Sequence, residues 1–169
     1  ASFSQWRSKL LRDEVDVVLT IAFDAGEAET ELEQEEICTC PKLVCMLRSN
    51  PLARKERVTY EDLRGQRFVG IREQETPRYA AYVREICLRQ GGFTPDIAVW
   101  TSNAHGLISA LQRDDEVLVC DRFLRDYANP LLRVFPLPDT WSALCAVRRR
   151  GNANPLLMAF LEELRRYYR

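Results

Sequence analysis

Between Arg67 and Cys120 the sequence alternates twice between strand-length apolar runs and helix-length amphipathic ones. Arg67 to Ile71 is a short strand. Thr76 then caps a helix with Pro77 at its first position, a favoured start because the proline lacks an N–H that would go unused there. Tyr79, Val83, Ile86 and Gln90 line one helical face, and Gly91-Gly92 stops it. Asp96 to Trp100 is a second strand. Ser102 or Asn103 caps a helix carrying Ala104, Leu107, Ile108 and Leu111, and Glu116 to Cys120 is a third strand. Strands alternating with helices imply a mostly parallel sheet with right-handed crossovers.

The flanking sequence repeats this chemistry. Phe3, Trp6 and Leu10 share a helical face. Val15 to Ala22 is a β-branched apolar run, the pattern of a strand buried on both faces. Six glutamates fall between Glu27 and Glu36 and read as a solvated loop. Ile37 to Leu47 is strand-like with Pro41 inside, which suits an edge or a segment crossing between lobes. Thr59 caps one helical turn that Gly65 ends. Leu131 to Phe135 and Trp141 to Val147 are further strands. Asn154 caps a last helix through Leu157, Phe160, Leu161, Leu164 and Tyr168. The chain leaves a first lobe near Cys40 and returns to it near Pro138. The expected division is 1–39 with 140–169, and 40–139.

With 169 residues and a formal net charge of −1, the chain can build a real core. It lacks the clustered excess of Lys and Arg that gripping nucleic acid by itself requires. No apolar stretch is long enough for a membrane span and no export signal opens the sequence, so a cytoplasmic location is expected. The six cysteines sit mostly inside apolar runs, where free thiols behave as small hydrophobes, and they are expected to be reduced.

The order of pieces resembles the effector-binding domain of LysR-type transcriptional regulators. Leu11-x-x-x-Val15-Asp16-Val17-Val18-Leu19 is similar to that family's helix-end-into-strand motif. Leu43-Val44-Cys45-Met46-Leu47-x-x-Asn50-Pro51-Leu52-Ala53 resembles its crossing strand and "His-Pro-Leu-Ala" turn, with Asn50 in place of His. Val58-x-x-x-Asp62-Leu63-x-Gly65-x-x-Phe68-Val69 and the ending from Pro136-Leu137-Pro138 to Leu164 also fit. The resemblance covers essentially the whole chain. It implies an α/β fold of two Rossmann-like lobes of the periplasmic-binding-protein type II kind, joined by two crossing segments, with an effector cleft between them. Two features depart from the pattern. The family's domain normally opens with a strand, helix and strand ahead of the helix met here, so the first lobe is incomplete. The Gly-rich turn before the third strand of the second lobe is here Arg113-Asp114-Asp115-Glu116.

Ligands of open parallel sheets sit beyond the carboxyl ends of strands, where helix N-termini offer donors. The candidate effector-binding residues are therefore Thr20, Ala22, Arg72, Glu73, Thr76, Thr101, Ser102 and Asn103. Thr76, Ser102 and Asn103 could also serve only as caps. Arg72 could grip an anion bidentately, or pair with Glu73 or Glu75 on a solvated loop. Cys38-Thr39-Cys40 puts two thiols on one strand face, but with one histidine in the chain there is no zinc set. His105 has no local nucleophile or orienting group. Arg148-Arg149-Arg150 reads as a solvated rim. No catalytic residue, metal or cofactor is expected.

These observations point to a ligand-sensing regulator domain, not an enzyme, that binds a small effector, anionic ones among the candidates. A homodimer or higher homo-oligomer is expected, using an open edge at Val15–Ile21 or the terminal helices. DNA would be reached only through an N-terminal winged helix-turn-helix domain absent from this sequence. The alternative is a solute-binding protein or a small enzyme on the same architecture.

Overall fold

The computed structural model describes residues 5–22, 30–102, 106–123 and 129–168. The chain divides into two units, 1–40 with 142–169, and 41–141. Two long strands, β2 (Leu32–Leu47) and β6 (Leu132–Arg149), pass from one unit to the other.

In the first unit β1 (Val17–Ile21) pairs antiparallel with β6, from Val17 opposite Arg148 to Ile21 opposite Leu144. Strand neighbours run β1-β6-β2. Successive strand residues point to opposite faces, and both faces are covered here. Val18 joins Val15, Leu32 and Val147 under Trp6 and Leu10 of helix α1 (Trp6–Leu11). Val17 joins Ala146 and Ile37 under Leu157 and Leu161 of helix α4 (Pro155–Tyr167). A strand covered on both faces has no reason to alternate, which is why Val15 to Ala22 reads as a continuous apolar run. The Asn154 side chain accepts from Leu156 N–H at 3.0 Å and caps α4 as its sequence implies.

The glutamate stretch is not a loop throughout. β2 begins at Leu32, five residues before the strand read from the sequence. Glu33 pairs with Arg148 at 2.8 Å, and Glu35 receives two hydrogen bonds from Arg165, at 2.5 and 2.7 Å. Arg149 pairs with Asp13, and Arg150 donates to the carbonyls of Thr30 and Leu32. The three arginines are therefore fastened to their own unit, not a free rim. β6 is one strand of 18 residues where the sequence suggests two. Pro136 and Pro138 lie inside it; a proline's fixed φ is compatible with extended backbone, and only its donor is lost.

In the second unit β2 pairs antiparallel with β5 (Glu116–Cys120), Leu43 opposite Cys120. β3 (Arg67–Ile71) runs parallel to β5 and to β4 (Asp96–Thr101), giving β2-β5-β3-β4. Helices α2 (Pro77–Gly91) and α3 (Gly106–Ser109) follow β3 and β4. Gly92 ends α2 with φ of 64°, the left-handed conformation that favours glycine. Arg64 then donates to the carbonyls of Gly91 and Gly92, satisfying acceptors the helix leaves open.

Side chains account for two sequence differences from the LysR-type motifs, the Arg113–Glu116 turn and Asn50 in place of His. Glu116, buried, accepts from the N–H groups of Gln112 and Arg113 at 2.8 and 3.0 Å, closing without glycine the turn into β5. Asn50, fully buried, accepts from Leu52 N–H at 2.9 Å and donates to Gln66 at 2.8 Å. Thr59 does not cap its turn as donor-acceptor chemistry at the sequence level suggests; instead Asp62 accepts from both its N–H and its hydroxyl. Among the described residues no helix is long and apolar enough to cross a membrane.

Candidate functional site

Because β3, β4 and β5 are parallel, their carboxyl ends lie together. Arg72 follows β3, and its N–H donates to the carbonyl of Thr101, the last residue of β4, at 2.9 Å. The Thr101 hydroxyl donates back to Gly70 at 3.4 Å. The chain then turns so that the N–H groups of Glu75 and Thr76 both donate to Arg72 carbonyl. This brings Arg72, Thr76 and Thr101 to one end of the sheet, with exposed Ser102 directly after Thr101. Gly70 lets the two strands approach: a Cβ there would meet Ile97 at 2.7 Å.

Thr76 stands at the N-terminus of α2, and its side chain makes no capping bond. Its residue is 1% exposed, and its hydroxyl has no hydrogen-bond partner among the described residues. A buried hydroxyl without a partner costs on the order of 1–3 kcal/mol. The first-turn N–H groups of the helix behind it carry the positive end of the helix dipole. Arg72 is exposed and has no ion-pair partner among the described residues, so the pairing with Glu73 or Glu75 does not form. Glu73 turns instead to Arg84 of α2, at 3.1 Å.

The sequence reading missed two charges at the same end. Antiparallel β2 enters where β5 leaves, and Lys42 there forms a buried ion pair with Asp121, 3.7 Å apart. The Lys42 ammonium also lies 4.7 Å from the centre of the Tyr82 ring of α2. Burial pushes the Tyr82 phenol up to about 12, so it stays neutral beside the ammonium. The signal in the sequence was a lysine heading the apolar run Lys42–Leu47 and an aspartate closing β5.

Thr20 and Ala22 belong to the first unit, at the carboxyl end of β1; Thr20 is buried opposite Cys145. Asn103 lies outside the described residues, as does His105. All six cysteines are free thiols. Burial raises Cys45 to about 11 and Cys87 to about 12, and raises Cys145 as well, so these three are poor nucleophiles at neutral pH. Among the described residues no group of His, Cys, Asp or Glu could hold a metal ion. An open cavity of about 480 Å³ lies at the opposite, amino ends of β3 and β5, lined by Gln66, Gln112 and Arg113 to Asp115. It shares no residue with the cluster described above.

The sequence matches the family described as LysR substrate binding domain over residues 2–169. Solved structures share the fold at low identity. CbnR, a LysR family transcriptional regulator, superposes with a TM-score of 0.81 at 16% identity, over 100% of this chain and 58% of that one. The reduced regulatory domain of OxyR from Pseudomonas aeruginosa gives 0.70 at 19% identity, over 98% and 80%. The CcmR regulatory domain of Synechocystis PCC6803, in complex with 2-PG, gives 0.72 at 12% identity, over 100% and 81%. No curated protein matches. The chain thus spans under two thirds of the length of CbnR, and its fold is the periplasmic-binding-protein-like one that the motifs imply. The ordered motifs, the two-unit α/β architecture and a family match running from residue 2 to the last residue agree: the chain belongs to the LysR substrate binding domain family.

Proposed function

We propose that this chain is the ligand-sensing domain of a LysR-type transcriptional regulator and that its effector is a small carboxylate. The observation that carries this reading is the Thr76 hydroxyl, buried at the start of a 15-residue helix and without a partner among the described residues, in a turn where the Thr76 N–H donates to the carbonyl of exposed Arg72. A carboxylate there would accept from Thr76, from α2 N–H groups and from Arg72 in charge-assisted hydrogen bonds. Thr101, Ser102 and Asn103 would complete the second unit's share. Glu73 would stand at the rim, while Thr20 and Ala22 are the first unit's candidates.

The role is sensing, not catalysis. A ligand shifts a conformational or assembly equilibrium only by binding one state better than the other. A neighbouring fold is known in complex with 2-PG and another in complex with its target DNA, which supports a domain that reads a small molecule for a DNA-binding partner domain. We place the regulator in the cytoplasm as a homodimer or larger homo-oligomer, with DNA contacts made by a winged helix-turn-helix outside this chain.

The test is a thermal-shift series with C2–C8 mono- and dicarboxylates on the chain and on Arg72→Gln and Thr76→Val. At least one carboxylate should raise the melting temperature of the parent and lose its effect in both variants. A series in which none acts, or in which both variants respond like the parent, overturns the reading.

A further inference from the structure

We infer that Asp121 is a specificity-determining residue of the proposed effector site: it restricts the site to carboxylates with a single negative charge, which turn a hydroxyl rather than a second carboxylate toward the end of β5. The inference rests on the carboxylate reading and narrows it.

Position comes first. The Tyr79 phenol of α2 donates to the Val119 carbonyl of β5 at 2.9 Å, which fixes the helix against the strand. β3 and β4 are parallel, so α2 between them carries the chain back along the sheet. Its N-terminus therefore lies toward the carboxyl ends of β3 and β5. From the Tyr79–Val119 contact, Thr76 lies three helical residues in that direction, about 4.5 Å. Asp121 lies two strand residues in the same direction, about 6.6 Å. The two thus stand at nearly one level beyond the sheet. Burial raises the Tyr79 and Tyr82 phenols, and the nearby Asp121 charge raises both further.

Orientation follows from the ion pair. Lys42 and Asp121 come one step beyond the pairing of Leu43 with Cys120. One carboxylate oxygen of Asp121 accepts from Phe123 N–H at 3.2 Å, and the other faces the Lys42 ammonium at 3.7 Å. The ammonium is the deeper partner, with its side chain 3% exposed against 12% for Asp121. A ligand arriving at the carboxyl ends of the strands meets carboxylate oxygen before ammonium. Ionised carboxylate only accepts hydrogen bonds, so the ligand group facing it must donate.

Charge decides which donor. Asp121 already matches the Lys42 charge, so a second ligand carboxylate gains no net attraction from the pair and meets its negative end. A ligand ammonium would instead approach Lys42. A hydroxyl donates without adding either charge. Exposed Glu73 and Arg122 bear less on the choice, because water and salt screen them and screen the buried pair much less. Arg72 and the α2 N-terminus remain to receive one carboxylate.

The test is calorimetric titration with ω-hydroxycarboxylates and α,ω-dicarboxylates of equal carbon number, C3–C8. At the responding length the parent should bind the hydroxycarboxylate at least about tenfold tighter, the cost of one like-charge contact out of water. In Asp121→Asn the preference should invert, since Lys42 then lacks its anion and takes the second carboxylate. Should that variant unfold, Lys42→Met/Asp121→Leu replaces it, and the preference should be lost. A parent that binds both ligands alike or favours the dicarboxylate overturns the inference and leaves the carboxylate reading standing. So does a variant that weakens both ligands equally and keeps the parent's preference, which would mark Asp121 as structural. A parent that binds neither ligand type overturns both readings.

Discussion

The two units solve the same problem with different resources. The second encloses Tyr60, Phe68, Tyr79, Phe93 and Phe135 within one layered sheet and fastens its loops with buried polar side chains. Tyr60 and Thr140 share a hydrogen bond of 2.9 Å, and Tyr79 donates to Val119 carbonyl at 2.9 Å. The first has one large buried aromatic among its described residues, Trp6, and two small clusters on either side of a three-strand sheet. Its strands β2 and β6, helix α4 and the turn after α1 are tied by ion pairs at the surface, Glu33–Arg148, Glu35–Arg165 and Asp13–Arg149. The comparison teaches where stability and adaptability reside: apolar burial stabilises a unit far more than surface ion pairs, each of which contributes little.

The largest effect should come from the second unit's core. Phe68→Ala removes a fully buried ring and should cost about 3–5 kcal/mol, read by urea denaturation. If Leu161→Ala in the first unit costs as much and abolishes hydrogen-exchange protection in Arg67–Ile71 too, the units are one cooperative block and the contrast fails. Next, Lys42→Met leaves Asp121 as a buried, half-compensated charge and should cost about 3–5 kcal/mol, with Lys42→Met/Asp121→Leu recovering most of it. A double variant no better than the single would mean that the pair does not act as a unit.

A smaller effect has the opposite sign. Thr76→Val replaces an unpartnered buried hydroxyl by a methyl of similar shape, so the unliganded protein should gain about 1 kcal/mol. For a chain of this length that is a rise of about 2–4 °C, measurable by calorimetry. A loss would show that the hydroxyl has a partner in solution. The smallest effect concerns pH. The Arg165 hydrogen bonds hold the Glu35 carboxyl below its usual 4.5. A lowered folded-state pKa contributes stability that is present above the unfolded value and lost as pH falls through the folded one. The parent should therefore lose more stability than Glu35→Gln between pH 5 and 3, by about 0.2–1 kcal/mol for an exposed pair.

Much of the fold was legible because its signals are local. Thr76-Pro77 before an amphipathic run and Gly91-Gly92 after it mark α2 within a residue. Arg67–Ile71, Glu116–Cys120 and the Asn154-capped helix are equally self-announcing. What was hidden depends on distant partners. Glu33 and Glu35 look like solvent until Arg148 and Arg165, more than a hundred residues away, are set beside them. Lys42 and Asp121 say nothing singly. Thr76 was read by its position as a cap or a ligand contact; its side chain makes no capping bond, and its hydroxyl has no partner among the described residues. Phe160, aligned with the buried line by sequence, is half exposed because the α4 stripe that packs inward is only Leu157 and Leu161 wide.

Trp6 is buried in the first unit, while Trp100 and Trp141, the other two tryptophans, are part-exposed and belong to the second. The molecule thus carries its own optical label. With Trp100→Phe and Trp141→Phe in place, all indole emission would come from the α1 side of the first unit. Blue-shifted light would mean that Leu10, Leu32 and Val147 still enclose the ring, and a red shift would time the opening of that cluster alone.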